Sequence, residues 1–174
     1  MITTKKSTVS KFGLIGKDID YSFSKKFFSE KFEKENLQHT YENFDISYIK
    51  KFPDIINTTP DIKGLNVTIP YKEKVIPFLD NLDLDAEKIG AVNTIKISGN
   101  GKLTGYNTDH LGFQKSLEKF LPLQKKTALI LGTGGASKAV AYALQNLSFD
   151  FKFVSRKKGT HTLNYSSLDK LAIE

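Results

Sequence analysis

Residues 127–147, TALILGTGGASKAVAYALQNL, decide the fold class. TALIL is a near-continuous apolar run, as expected for a strand buried on both faces. GTGG then forces a tight turn, and the alanine-rich stretch after it reads as a helix. DFKFVSRKK (150–158) supplies the next strand, so the segment runs strand, turn, helix, strand, the pattern of a parallel α/β sheet. Glycines in such a turn let backbone N–H groups approach a pyrophosphate, and the helix N-terminus adds partial positive charge. Gly132, Thr133, Gly134, Gly135 and Ala136 are therefore candidate dinucleotide-binding residues. The spacing is a compressed variant of the usual fingerprint, and the alternative is a tight turn with no ligand.

The end of the second strand separates the two nicotinamide cofactors. An acidic residue there holds the ribose 2′-hydroxyl of NAD, whereas this chain has Ser155, Arg156 and Lys157. A carboxylate would repel a 2′-phosphate and a guanidinium can hold it bidentately, so NADP(H) is the expected cofactor.

Upstream, FGLIG (12–16) reads as a buried strand. Phe27, Phe28, Phe32 and Leu37 recur at helical spacing behind serines suited to capping. HTYENFDI (39–46) alternates like a strand, SYIKKFPDII suggests a short helix interrupted near Pro53, and IKGLNVTI (62–69) is again a strand. Pro70 marks a boundary and is suited to open the next helix. LDLDAEKIGA is helix-compatible. AVNTIKIS and KLTGYNT flank Gly99-Asn100-Gly101, a hairpin signal, and 109–121 is a helix ended by Pro122. SSLDKLAIE reads as the start of a further helix. The α/β pattern restarts near residues 119–125. The expected organisation is an αβα substrate-binding domain at 1–120, followed at 121–174 by the first part of a Rossmann-type NADP-binding domain.

Composition narrows the function classes. The 174 residues are 39% hydrophobic and 26% charged, a soluble globular balance, and no apolar run approaches the ~20 residues of a membrane span. The N-terminus lacks the apolar stretch of a secretory signal and there is no cysteine, so a cytoplasmic location is expected and thiolate chemistry is excluded. Lys and Arg outnumber Asp and Glu 26 to 19, a formal charge of +7 that favours anionic ligands, yet the basic residues are dispersed and no nucleic-acid motif appears. His39, His110 and His161 stand far apart with no carboxylate pattern between them, so no metal is expected.

Four dense polar patches remain: YSFS (21–24), NVTIPYK (66–72), AVNT (91–94) and YNTD (106–109). Singly each has a structural explanation, with Ser22 and Ser24 as helix caps, Thr68 as a strand residue, Asn93 and Asn107 as turn formers and Asp109 as the cap of the following helix. In this order, and ahead of a GxGGA turn, they resemble the shikimate dehydrogenase family. Ser22-Phe23-Ser24 is similar to its paired-serine motif, Asn66-Val67-Thr68-Ile69-Pro70-Tyr71-Lys72 to NVTxPxK, Gly90–Thr94 to GAVNT, and Gly105–Asp109 to GxNTD.

The resemblance implies NADPH-dependent reduction of 3-dehydroshikimate to shikimate, a step of aromatic amino-acid biosynthesis. It implies a substrate site of Ser22, Ser24, Asn66, Thr68, Lys72, Asn93 and Asp109, with Lys72 and Asp109 as catalytic pair. The partner implied is a small molecule, with neither nucleic acid nor membrane, and a homodimer is left open. Tyr21 and Lys25 stand where the family usually has His and Pro, and Ser155-Arg156-Lys157 where Asn-Arg-Thr is common. Only one βαβ unit follows the glycine turn, whereas a dinucleotide-binding domain normally has two halves, so the chain resembles the N-terminal two-thirds of the enzyme and reduced catalysis is expected. The rival readings are a quinate/shikimate dehydrogenase able to use NAD and a non-catalytic protein that keeps the pocket.

Overall fold

The structure, a computed structural model, describes residues 9–121, 126–156 and 162–170. It divides into two compact units: the chain through Ala86 with Val92–Tyr106, and Glu87–Ala91 with the chain from Asn107 on.

The first unit is built on a six-stranded sheet. Its strands are β1 (Lys11–Gly16), β2 (Thr40–Asp45), β3 (Ile62–Val67), β4 (Asn81–Leu82), β5 (Thr94–Ile97) and β6 (Leu103–Tyr106), in the spatial order β2-β1-β3-β5-β6-β4. β1 pairs in parallel with both β2 and β3, while β5 runs antiparallel to β3 and to β6. The expected hairpin forms: Ser98 and Lys102 close it, and Gly101 takes the positive φ that its turn requires.

Helix α1 (Ser24–Lys34) packs on one sheet face, where Phe28 and Phe32 meet Phe12, Leu14 and Tyr41. Phe27 stays exposed and Leu37 falls beyond the helix end, so two of the four expected apolar positions do not serve this core. Helix α2 (Phe52–Thr58) covers the opposite face, where Phe52 and Ile55 join Ile15, Leu65, Val67 and Tyr71. Pro53 lies in its first turn, where the missing N–H costs nothing, so it opens the helix and does not interrupt it. With α1 and α2 on opposite faces, β1 and β3 diverge at a topological switch point, the place where α/β sheets hold ligands beyond their carboxyl ends. Pro70 does not open an α-helix. It follows a cis peptide, and turns then lead to a 3-10 segment at Ile76–Phe78, because Tyr71 N–H is taken by Thr68 O and Val92 N–H by Lys72 O. A short helix α3 (Leu84–Ile89) follows β4 in the chain.

The second unit contains α4 (Asp109–Glu118) and a parallel three-stranded sheet of β7 (Thr127–Leu131), β8 (Asp150–Ser155) and β9 (Thr162–Asn164), with α5 (Gly135–Asn146) between β7 and β8. Ile130, Ala141, Leu144 and Phe149 form its core with Phe113, Leu117 and Phe153 packed around them. α4 stops at Glu118, and Pro122 lies outside the described residues. β9 was not expected from sequence, and Tyr165–Lys170 forms a 3-10 segment where an α-helix start was expected. Among the described residues no helix is long and apolar enough to cross a membrane, and none group as a metal site.

Candidate active site

Ser22 and Ser24 sit on the segment leaving β1. That segment is pinned by Asp45 at the end of β2, whose carboxylate accepts the N–H groups of Asp18, at φ 55°, and of Ile19 at 3.2 and 3.0 Å. Ser22 N–H then donates to Ile19 O at 2.9 Å. The serines do not cap α1 as expected. Phe23 occupies the cap position without a side-chain bond, and Ser22 Oγ instead accepts the Ser24 N–H at 3.3 Å and lies 3.2 Å from Ser24 Oγ.

Asn66 and Thr68 stand at the end of β3, and Asn93 and Thr94 at the start of antiparallel β5, so the pairing Asn66↔Thr94 brings both motifs to one sheet edge. Asn66 Nδ2 faces Asn93 O at 3.5 Å and Thr94 Oγ1 at 3.4 Å, long and therefore weak contacts, while Thr94 Oγ1 lies 3.0 Å from Asn93 Oδ1. The β1 and β3 ends crowd each other: a Cβ on Gly16 would lie 2.5 Å from Thr68 Cγ2 and 3.2 Å from Ile69 O.

Lys72, half-buried, is fixed through its neighbours. Its carbonyl accepts Val92 N–H at 2.7 Å, and buried Tyr71 donates its hydroxyl to Ile46 O at 2.6 Å. Burial raises the Tyr71 pKa above its usual 10.0, and the nearby Asp45 and Asp18 carboxylates add to that.

Tyr41 was not singled out from sequence. It is 4% exposed, stacks on Phe28 at 4.6 Å, and donates to Asn66 Oδ1 at 2.8 Å. Burial pushes its phenol pKa upward, opposed by a side-chain hydrogen bond from Ser24. The signal was present in the alternation of HTYENFDI, which sets Tyr41, Asn43 and Asp45 on the face that carries Asn66.

In the second unit Asp109 is the first residue of α4, with Thr108 at the cap position, so it does not cap the helix as expected. Buried Asn107 organises this start, accepting Asp109 N–H at 3.1 Å and donating to Ala91 O at 2.9 Å. His110, 3% exposed, meets the Tyr142 ring edge-on.

The glycine turn has a conformation that suits close approach of an anion. Gly132 adopts φ +109° and its N–H donates to Val154 O at 2.8 Å. Gly134 sits at the cap of α5 with no side-chain cap bond, and a Cβ there would meet nothing within 4 Å. Leu131 pairs with Val154, so Ser155 and Arg156 leave β8 beside this turn; Arg156 is exposed, with Asn164 Nδ2 donating to its carbonyl at 3.4 Å. Thr133 and Ala136 are exposed and Gly135 half-buried in the same turn, while Lys157 lies outside the described residues.

Comparison with known proteins gives a consistent set of similarities. The family described as shikimate dehydrogenase substrate binding domain matches residues 14–95. The shikimate dehydrogenase (NADP(+)) of Methanosphaera stadtmanae is 41% identical over 147 residues, covering 83% of this chain and 51% of the relative. Among solved structures, shikimate dehydrogenase from Aquifex aeolicus is 36% identical with a TM-score of 0.81, over 98% of this chain and 68% of that one. The Thermus thermophilus shikimate 5-dehydrogenase, solved in complex with NADP(H) and shikimate, is 32% identical with a TM-score of 0.76, over 86% and 57%. The chain spans about half the length of the first curated relatives it matches.

Proposed function

The chain belongs to the shikimate dehydrogenase family, and from that premise we propose that it binds shikimate on its first unit and NADP(H) on its second, serving reversible NADPH-dependent reduction of 3-dehydroshikimate. The observation that carries the substrate half is the convergence of Ser22, Ser24, Asn66, Thr68 and Asn93 on the edge where β1 and β3 end and β5 begins. Serine hydroxyls can donate to a substrate carboxylate, and amides and Thr68 can hold ring hydroxyls in one orientation.

NADPH, when bound, would supply a hydride to the carbonyl carbon, leaving negative charge to be met on the carbonyl oxygen. Lys72 is proposed to stabilise that charge as an ammonium and to deliver the proton, and Asp109 to orient Lys72 and the neighbouring hydroxyl. In the second unit the backbone N–H groups of Gly134–Ala136, at the start of α5, suit a pyrophosphate. Arg156, with Ser155 and Lys157 beside it, suits the 2′-phosphate.

Calorimetric titration tests both halves on the 174-residue chain. Shikimate binding, and NADP binding tighter than NAD binding, are expected; no shikimate binding at millimolar concentration removes the substrate reading. For the chemistry, Lys72→Ala should abolish whatever NADP-linked shikimate oxidation the chain shows while weakening shikimate by less than about tenfold.

A further inference from the structure

The hydrogen bonds around Asn66 have a direction that one backbone atom determines. Asn93 O can only accept, so the Asn66 atom facing it is the Nδ2 donor, and the Oδ1 acceptor faces Tyr41. Tyr41 must then spend its single hydroxyl hydrogen on Asn66. Its oxygen is left able only to accept. On the other side Thr94 Oγ1 accepts from Asn66 and donates to Asn93 Oδ1. The bonds run one way, Tyr41 to Asn66 to Thr94 to Asn93, and tie two of the four polar motifs together. Tyr41 is the only member of this series that lies in none of the four motifs.

We propose that Tyr41 is a positioning residue for the ligand edge of the first unit, holding the Asn66 amide with its nitrogen toward β5. The inference rests on the shikimate reading above. A purely structural role for Tyr41 is met by its ring, which stacks on Phe28 in the α1 core, and phenylalanine would serve there equally well. The hydroxyl does what phenylalanine cannot: it donates to Asn66 Oδ1 and so fixes which way the amide points. The Tyr41–Asn66 bond sets the amide before any ligand arrives, so binding does not bear the cost of orienting it.

Shikimate titrations of the 174-residue chain, followed by NMR, test this in four proteins: unmodified, Tyr41→Phe, Asn66→Ala and the double variant. Tyr41→Phe should move the Asn66 side-chain amide resonances before ligand is added and raise the shikimate Kd roughly three- to tenfold, the worth of one hydrogen bond. In the Asn66→Ala background the same change should add nothing, because its route is gone. An unchanged Kd in Tyr41→Phe, or an equal loss in both backgrounds, overturns the assignment while leaving the shikimate reading intact. No binding by the unmodified chain overturns both. The unmodified chain gives a reading independent of whether Tyr41→Phe folds: the Tyr41 hydroxyl proton should be protected from exchange with a nuclear Overhauser contact to the Asn66 side-chain amide, and a freely exchanging hydroxyl refutes the assignment.

Discussion

Tyr71→Phe tests how the lysine-bearing turn is anchored. The Tyr71 ring is 2% exposed within the main core of the first unit, and its hydroxyl gives the Ile46 carbonyl a 2.6 Å hydrogen bond across the base of the NVTIPYK turn. Removing only the hydroxyl leaves the ring packing in place and the buried carbonyl without that donor, a loss of about 1–3 kcal/mol. In a unit of this size the melting temperature should fall by roughly 5–20 °C. Guanidinium unfolding at fixed pH values supplies a second readout. The folded-state phenol pKa is raised above 10.0, first by burial and then by Asp45 and Asp18. The neutral hydroxyl therefore contributes its stability in full below pH 10, and that contribution is lost as the pH climbs past it, because the unfolded chain then ionises more readily. The stability gap between unmodified chain and Tyr71→Phe should be largest at neutral pH and narrow in the alkaline range. A variant as stable as the unmodified chain at pH 7, or a gap that widens with pH, refutes the reasoning.

Three other substitutions probe neighbouring parts of the site. Gly16→Ala pushes a methyl group into Thr68 and toward the Ile69 carbonyl, so calorimetry should show about 1–3 kcal/mol of destabilisation and weaker shikimate binding. Arg156→Asp should raise the Kd for NADP much more than that for NAD; equal changes in the two titrations would remove the argument for 2′-phosphate recognition. Asp45→Ala frees the two N–H groups that hold the segment before Ser22, and NMR should show Ser22 and Ser24 amides broadened or shifted with a several-fold loss of shikimate affinity.

Much of this was legible in the sequence because the deciding signals are local. TALILGTGG and IKGLNVTI produce β7, its turn and β3, and Gly99-Asn100-Gly101 yields the β5–β6 hairpin, but β7 is not buried on both faces as its apolar run suggests: only Ile130 is buried, and Leu129 and Leu131 stay exposed. Reading failed where tertiary contacts outvoted local preference. Ser22 and Ser24 look like helix caps, but they are engaged with each other, on a segment pinned by Asp45, a residue on a strand that reaches it only after folding. Asp109 has the residue type of a cap, yet it is the first residue of α4 itself, with Thr108 at the cap position and buried Asn107 accepting its N–H. Pro70 is a good helix opener by type, but backbone bonds from Tyr71 to Thr68 and from Val92 to Lys72 hold the chain in turns.

The topology explains why motifs scattered over 70 or so residues can serve one ligand. β1 and β3 are parallel neighbours, so the Ser22–Ser24 segment and Thr68 leave the sheet at the same edge. β5 runs the other way, which brings its beginning, Asn93 and Thr94, to that edge, and β6 reverses again and ends there at Tyr106 opposite Thr94. Two antiparallel strands appended to a parallel core thus place a strand start and a strand end where the core alone would offer only strand ends. A one-residue slip of β5 against β3 would turn Thr94 to the opposite sheet face and break its contact with Asn66, so the register Leu65↔Ile95, fixed by two core side chains at 3% and 1% exposure, is itself part of the site. Ile95→Thr should therefore cost more shikimate affinity, measured by titration at a temperature where the variant is still folded, than a similar core change at Ile55 on α2, whose side chain packs in the same core but sets no strand register. Equal losses at the two positions would show that core stability, and not register, governs the site.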